Sequence, residues 1–90
     1  MELKDTITLM QSDDYKERFK AEYLQTKIRF DKLHATIVKY EAGVLEFKPT
    51  CSIGLLKKQA IAMSDYLYTL EVRAVVEGIE LVEKVCGNNA

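Results

Sequence analysis

The stretch FKAEYLQTKIRFDKLHATIVKY, residues 19–40, decides the fold. Mostly apolar side chains recur along it at alternating spacings of four and three residues: Phe19, Tyr23, Thr26, Phe30, Leu33, Ile37 and Tyr40. This spacing keeps one side of an α-helix apolar, because the helix turns once every 3.6 residues or so. No proline or glycine interrupts residues 13–42. The pattern predicts a long helix over 13–42, with Ser12 as N-cap and Gly43 as its stop.

A second helical pattern follows a segment that contains a glycine and a proline. The apolar positions again repeat mostly at four and three residues: Leu56, Ala60, Met63, Leu67, Leu70, Ala74, Leu81 and Val85. They predict a second long helix over 53–85, capped by Thr50 or Ser52, with 43–52 as an ordered turn and 86–90 as a tail. Gly78 would then lie inside this helix, where its missing side chain lets another helix approach closely.

The first eleven residues form a smaller unit. Leu3, Ile7 and Met10 share one helical face, which favours a short N-terminal helix over 1–11, although residues 6–8 would also suit a strand. A short turn between two long helices predicts an antiparallel hairpin. The expected fold is therefore all-α, one helical domain over 1–90.

Pairing the two helices across the turn places opposite each other residues whose numbers sum to roughly 94 or 95. This register predicts three ion pairs between the helices: Arg18 with Glu77, Glu22 with Arg73, and Arg29 with Asp65. Each exposed pair contributes only about 0–1 kcal/mol, so the pairs support the register more than the stability.

Each long helix carries a second apolar face. The residues expected on these faces are Ala21, Leu24, Ile28, Ala35 and Val38 in the first helix and Ile61, Tyr68, Val72, Val75, Ile79 and Val82 in the second. A two-helix hairpin buries one face per helix, and a short N-terminal helix is too small to cover both others. The 48% hydrophobic content therefore predicts a helical-bundle homo-oligomer. The alternative is that the N-terminal helix covers one face while the other stays exposed.

Charge, composition and motifs exclude several classes of function. The net charge of -1 disfavours general nucleic-acid binding, and no apolar run approaches the roughly 20 residues of a membrane span. Two cysteines and one histidine predict neither a disulfide framework nor a metal site. No phosphate loop, nucleophile elbow or catalytic triad is present in the sequence. We therefore expect a non-enzymatic protein with no catalytic residues and no cofactor.

The charges are sorted along the hairpin. Residues 27–58, which include the turn, contain seven basic and three acidic residues, whereas both flanking segments are net acidic. Lysines, aromatic faces and a helix N-terminus suit a phosphorylated, base-containing small molecule. The predicted ligand-binding residues are His34, Lys39, Tyr40, Phe47, Lys48, Thr50, Ser52, Lys57 and Lys58. The alternatives are that the lysines and His34 are plain surface and that the two aromatic residues seal the core.

A longer pattern resembles a group of small helical-hairpin proteins encoded by bacteriophages and prophages of Gram-positive bacteria, with relatives in crAss-like phages. The matching residues are Tyr15, Arg18, Phe19, Glu22, Tyr23, Lys32, Leu33, Leu55, Leu56, Gln59, Met63, Tyr66, Leu67, Leu70, Glu71, Arg73, Ala74 and residues 77–81. The resemblance implies a phage accessory protein in the cytoplasm of the bacterial host. The layout of one short and two long helices is also similar to phage sponge proteins, which sequester the cyclic-nucleotide signals of CBASS and Thoeris immunity.

These expectations combine into one leading hypothesis. The protein is expected to be a phage counter-defence protein that oligomerises and sequesters a nucleotide second messenger, a cyclic oligonucleotide or a cyclic ADP-ribose type, in pockets between chains. The ligand contacts come from the charge pattern alone, because no sponge motif maps onto this chain. The alternative is an anti-CRISPR-like inhibitor that binds a host defence protein through an exposed helix face. A structural or assembly role in the phage is a third possibility.

Overall fold

The computed structural model describes residues 1–81, and these residues are all-helical. A 3-10 turn at Leu3–Thr6 leads into the short helix α1 at Ile7–Met10, followed by α2 at Tyr15–Glu41 and α3 at Ile53–Glu77. The prediction of one short and two long helices is confirmed, and residues 6–8 are helical rather than a strand. No helix within residues 1–81 has the length and apolar character of a membrane span.

Helix α2 starts two residues later than predicted because Asp14, rather than Ser12, is its N-cap. The Asp14 Oδ1 atom accepts a hydrogen bond from the Lys16 backbone N–H at 3.0 Å. Ser12 does not cap the helix itself; its Oγ accepts a hydrogen bond from the backbone N–H of the N-cap residue Asp14 at 3.0 Å. The carboxylate also favours this end of the helix, where the helix dipole is positive.

Both long helices end at a glycine in the left-handed conformation. Gly43 has a φ of 78° and Gly78 a φ of 71°. At each end the next residue folds back: the Val44 N–H donates to Lys39 O at 3.0 Å, and the Ile79 N–H donates to Ala74 O at 2.8 Å. This is the hydrogen bond of a Schellman motif, which terminates a helix.

The predicted second helix over 53–85 is therefore wrong at its C-terminal end. Gly78 stops the helix instead of lying inside it to admit a neighbouring helix, and residues 79–81 are not helical. Val82, Val85 and the predicted tail 86–90 lie outside the described residues.

The two long helices pack around a small apolar core near the open end of the hairpin. Its buried residues come from both helices and from the chain after Gly78: Phe19, Tyr23, Leu67, Leu70, Ala74 and Ile79. Ile79 was predicted to face another chain, but it is only 7% exposed. Because the chain reverses at Gly78, the Ile79 side chain folds back onto this core.

Polar contacts beside the core show the register of the antiparallel hairpin. The Tyr23 hydroxyl donates to Glu71 at 2.8 Å, which agrees with the predicted register. The three predicted ion pairs do not form within residues 1–81. Arg18 instead donates to the Ser12 carbonyl at 2.8 Å, and Arg73 is held within its own helix by Glu77 at 3.4 Å.

Arg73 also takes part in an aromatic contact at the open end. Its guanidinium lies 4.9 Å from the centre of the Phe19 ring and donates to the Tyr15 hydroxyl at 2.9 Å. That hydroxyl donates in turn to Glu77 at 2.9 Å. Arg73, which was predicted to pair with Glu22 of α2, thus contacts two aromatic side chains of that helix instead.

The N-terminal helix packs on α2 and makes no contact with α3. Thr6 is fully buried, and its hydroxyl donates to Leu3 O at 2.7 Å and accepts from Gln25 Nε2 at 2.8 Å. One turn earlier than Gln25, Ala21 is also buried. The second face of α2 is therefore partly covered within the chain.

This packing divides the residues that we predicted on the second apolar faces of the two helices. Leu24 and Ile28 are half-buried within the chain, and Leu24 packs against the core. Val38, Tyr68, Val72 and Val75 are exposed. Most of the exposed large apolar residues of these faces therefore lie on α3.

Candidate functional site

The candidate site is the loop that joins α2 to α3. Gly43 turns the chain out of α2, and the Ser52 hydroxyl oxygen starts α3 by accepting a hydrogen bond from the Leu55 N–H at 3.1 Å. Between these two caps the chain contains no regular helix. The caps fix both ends of the loop, so its side chains lie against the last turn of α2 and the first turn of α3.

Two adjacent surface depressions lie along this loop. One, of about 380 Å³, is lined by Tyr40, Gly43, Leu45, Glu46, Phe47, Lys48 and Pro49. The other, of about 310 Å³, is lined by Tyr40, Lys48, Pro49, Thr50, Cys51, Ser52 and Ile53. Tyr40, Lys48 and Pro49 belong to both. The structure thus brings together five of the nine residues that the charge pattern predicts: Tyr40, Phe47, Lys48, Thr50 and Ser52.

The aromatic residues of the loop are accessible rather than used as a seal for the core. Phe47 is 61% exposed and Tyr40 is 45% exposed. The buried core consists of other residues, nearest the opposite end of the hairpin. Both rings therefore have free surface for stacking with a planar ligand.

The remaining predicted residues lie around these depressions. Lys39 lines a third hollow of about 250 Å³ with Val44, Leu45, Glu46 and Phe47. Lys57 forms an ion pair with Glu41 at 2.7 Å, and Lys58 is exposed one residue further along α3. Lys57 and Lys58 line none of the three depressions. Of the four predicted lysines, Lys48 and Lys39 are therefore the two that line a depression together with Phe47.

His34 lies apart from the loop. It is exposed, and its ring stacks on Phe30 at a centroid distance of 5.7 Å and an interplanar angle of 15°. Six residues separate it from Tyr40, which amounts to about 9 Å along the helix. It does not line any of the three depressions.

Two features of the loop were missed by the sequence reasoning. Leu45 and Pro49 form part of the walls, and Glu41 and Glu46 bring negative charge to the basic tip. Pro49 was treated only as a turn signal, and the charge count did not show that Glu41 lies beside Lys57. The N-terminus of α3 also has fewer free backbone N–H groups than expected, because the Leu55 N–H donates its hydrogen bond to Ser52 Oγ.

Metal-ligand clusters and large pKa shifts among residues 1–81 do not single out the loop. Among residues 1–81, no three histidine, cysteine or acidic side chains are placed to hold a metal ion. The large pKa shift in the described chain lies elsewhere: burial raises the pKa of Tyr23 to about 12, and the hydrogen bond to Glu71 adds to this shift. Tyr23 packs in the hydrophobic core, away from the loop.

The comparisons with known proteins bear on this hairpin. The family model described as Sequestin matches residues 13–76. The chain belongs to the Sequestin family. The matched range contains α2, the whole loop with its depressions, and all of α3 except its last residue, whereas the N-terminal helix lies outside it. No curated protein and no solved structure matches the chain.

Proposed function

We propose that this Sequestin-family protein binds and sequesters a nucleotide second messenger at the loop of its helical hairpin, without chemical conversion. The observation that carries the proposal is the pair of adjoining depressions that share Tyr40 and Lys48. An exposed aromatic ring and a lysine at the same position suit a ligand that joins a base to a phosphate.

The dimensions of the depressions favour a ligand with more than one nucleotide unit. Their volumes of about 380 and 310 Å³ each lie at the lower end of the range for small-molecule sites, roughly 300–1,000 Å³. A cyclic oligonucleotide or a cyclic ADP-ribose isomer carries two or more rings and phosphates, so it would span both. The bases would stack on Phe47 and Tyr40, while Lys48 would meet phosphate between them.

The family assignment and the phage resemblance supply the biological setting of the proposal. The family's name denotes sequestration, and the sequence resembles accessory proteins of phages and prophages. We accordingly place the protein in the cytoplasm of the bacterial host as a counter-defence protein. Sequestration needs only affinity and abundance, so no catalytic residue or cofactor is required.

Isothermal titration calorimetry tests the proposal directly. The purified protein is titrated with cyclic dinucleotides, cyclic trinucleotides and cyclic ADP-ribose isomers, and saturable binding of at least one is expected. Lys48→Glu should abolish that binding, because it places a carboxylate beside the phosphate. Lys16→Glu makes the same charge change in the exposed first turn of α2 and should bind like the wild type. No binding by any of these nucleotides would refute the proposal.

The double variant Lys57→Glu with Lys58→Glu tests the outer part of the basic tip. Because these lysines lie outside the depressions, we expect weaker binding rather than complete loss. Helical content by circular dichroism should be unchanged. Wild-type affinity in this variant would assign both lysines to the solvated surface.

The second candidate function is inhibition of a host defence protein through direct binding. The observation that favours it is the exposed apolar surface of α3, where Val75 is 83% exposed. An amphipathic helix of this kind fits a hydrophobic groove of a partner. Substitutions on α3 would then abolish counter-defence activity in cells while Lys48→Glu would not, which is the reverse of the result expected for a nucleotide-sequestering protein.

A further inference from the structure

We infer that two copies of this chain pair in antiparallel orientation through the exposed apolar face of α3. That face, called the α3 face below, consists of Ile61, Tyr68, Val72, Val75 and Val76, which are 63%, 67%, 45%, 83% and 79% exposed. At about 100° per residue these five positions fall on one side of the helix. The buried residues Leu67, Leu70 and Ala74 lie on the other side, against α2.

Nothing within residues 1–81 covers the α3 face. The N-terminal helix packs on α2 and does not touch α3, while the chain after Gly78 folds Ile79 into the core. The loop lies beyond the far end of the helix. The face is therefore separate from the candidate ligand site, and the inference does not depend on the proposed function.

The area of the α3 face suits a second copy. Four aliphatic side chains and one tyrosine at these exposures present on the order of 500 Å² of apolar surface. A two-fold pair buries this area on both chains, about 1,000 Å² in total, which is the smallest size expected of a specific interface. We therefore expect a dimer with a micromolar dissociation constant.

The charges along α3 select the antiparallel orientation. Near the loop the helix carries Lys58 and Lys57, of which Lys57 pairs with Glu41; at the other end Glu77 pairs with Arg73, and Glu80 follows just after the helix, so the two ends keep opposite net charges. Parallel pairing would bring lysines next to lysines and glutamates next to glutamates. Antiparallel pairing brings the basic end of each helix to the acidic end of the other, within the screening length of roughly 8–10 Å. The two loops then lie at opposite ends of the dimer, and each chain keeps a complete ligand site.

Sedimentation velocity over a range of protein concentrations tests the pairing. The wild type should change from monomer to dimer at micromolar concentration, and Tyr68→Asp or Val75→Asp should weaken the dimer at least tenfold. Both side chains are exposed in the single chain, so the circular dichroism spectra of the two variants should match that of the wild type. Leu55→Asp is the matched control, because Leu55 is 56% exposed on a different side of α3.

A wild type that is monomeric at all concentrations would overturn the inference, and the α3 face would then be assigned to the C-terminal residues or to a different protein. Equal weakening by Leu55→Asp would overturn it as well. Calorimetry of Tyr68→Asp with the nucleotide separates this result from the proposed function: nucleotide binding persists if only the dimer is lost.

A spin-label distance measurement tests the orientation. Labels are attached at Lys58→Cys in a chain that also carries Cys51→Ser and Cys86→Ser. If the α3 faces pair about their midpoint near Tyr68, the two labels are separated by about 30 Å along the axis, at roughly 1.5 Å per residue. A parallel pair would place both labels at the same level, within about 15 Å, and that distance would overturn the antiparallel assignment.

Discussion

Replacing Tyr23 by phenylalanine removes one hydroxyl group from the edge of the core and leaves the ring in place. That hydroxyl donates a 2.8 Å hydrogen bond to Glu71 across the two long helices. Hydrogen bonds to charged groups contribute about 1.5–3 kcal/mol, and less when the acceptor is exposed. Because Glu71 is exposed, we expect Tyr23→Phe to lower the free energy of unfolding by about 1 kcal/mol at pH 7.

The same substitution changes how stability depends on pH. Burial and the contact with Glu71 raise the pKa of Tyr23 from 10.0 to about 12 in the folded chain. A group whose pKa is raised by folding stabilises the fold fully below its unfolded pKa. That contribution is lost as the pH rises from 10 through 12, because the unfolded chain then releases the proton first. The wild type should therefore lose its advantage over Tyr23→Phe in this window.

Urea denaturation followed by circular dichroism, at pH values from 7 to 11.5, measures the difference. Tyr68→Phe is the matched control, because that hydroxyl belongs to a tyrosine that is 67% exposed. Titration of the absorbance at 295 nm adds an independent measurement, since Tyr23→Phe should remove an ionisation with a pKa of about 12. A stability difference that stays constant from pH 7 to 11.5 would refute the reasoning.

Three further predictions concern the core, the helix ends and the loop. Leu70→Ala should lower the free energy of unfolding by about 2–5 kcal/mol, because Leu70 is fully buried; a thermal melt like that of the wild type would contradict the core assignment. Gly78→Ala should lower the free energy of unfolding by about 1–2 kcal/mol, because Gly78 has a φ of 71°. Gly54 lies inside α3, and an added Cβ meets no atom within 4 Å at either glycine, so Gly54→Ala should raise the free energy of unfolding by about 0.4–1 kcal/mol in the same urea assay. Glu41→Gln should raise nucleotide affinity about two- to fivefold in calorimetry, because it releases Lys57 from an exposed ion pair worth roughly 0.2–1 kcal/mol. Unchanged affinity would show that Lys57 does not contact the ligand.

Hydropathy spacing was enough to predict the helices of this chain. The seam through Phe19 and Tyr23 and the seam through Leu67, Leu70 and Ala74 both lie in the core, and Gly43 ends α2 as expected. Such seams can be recognised in the sequence because the spacing of apolar residues repeats locally, whichever element packs against the helix. For the same reason the antiparallel hairpin followed from a short loop between two helices.

The end of α3 shows where that reasoning failed. Apolar residues continue in helical spacing beyond Gly78, so the pattern alone extended the helix to Val85. The structure instead uses Gly78 as a left-handed cap and folds Ile79 inward. A glycine followed by an apolar residue fits both a helix interior and a Schellman cap, and only the tertiary packing of Ile79 distinguishes them.

The ion pairs failed for a different reason. A register specifies which backbone positions are opposite, but long side chains choose among several partners of similar energy. Arg73 stacks on Phe19 and pairs with Glu77, one turn away in its own helix. At the loop, likewise, net charge pointed to the basic tip but not to which lysines reach the depressions. Lys48 lines two of them, whereas Lys57 lines none and pairs with Glu41 instead.

Recovery of an intact nucleotide from the protein is the most direct test of sequestration. The protein is mixed with a cyclic nucleotide below its own concentration, the free ligand is separated by ultrafiltration, and the retained fraction is heat-denatured and analysed by chromatography. If the protein sequesters the nucleotide, the filtrate is depleted of it and the denatured protein releases it unchanged. A nucleotide that passes entirely into the filtrate, or that is recovered as a cleaved product, would contradict sequestration.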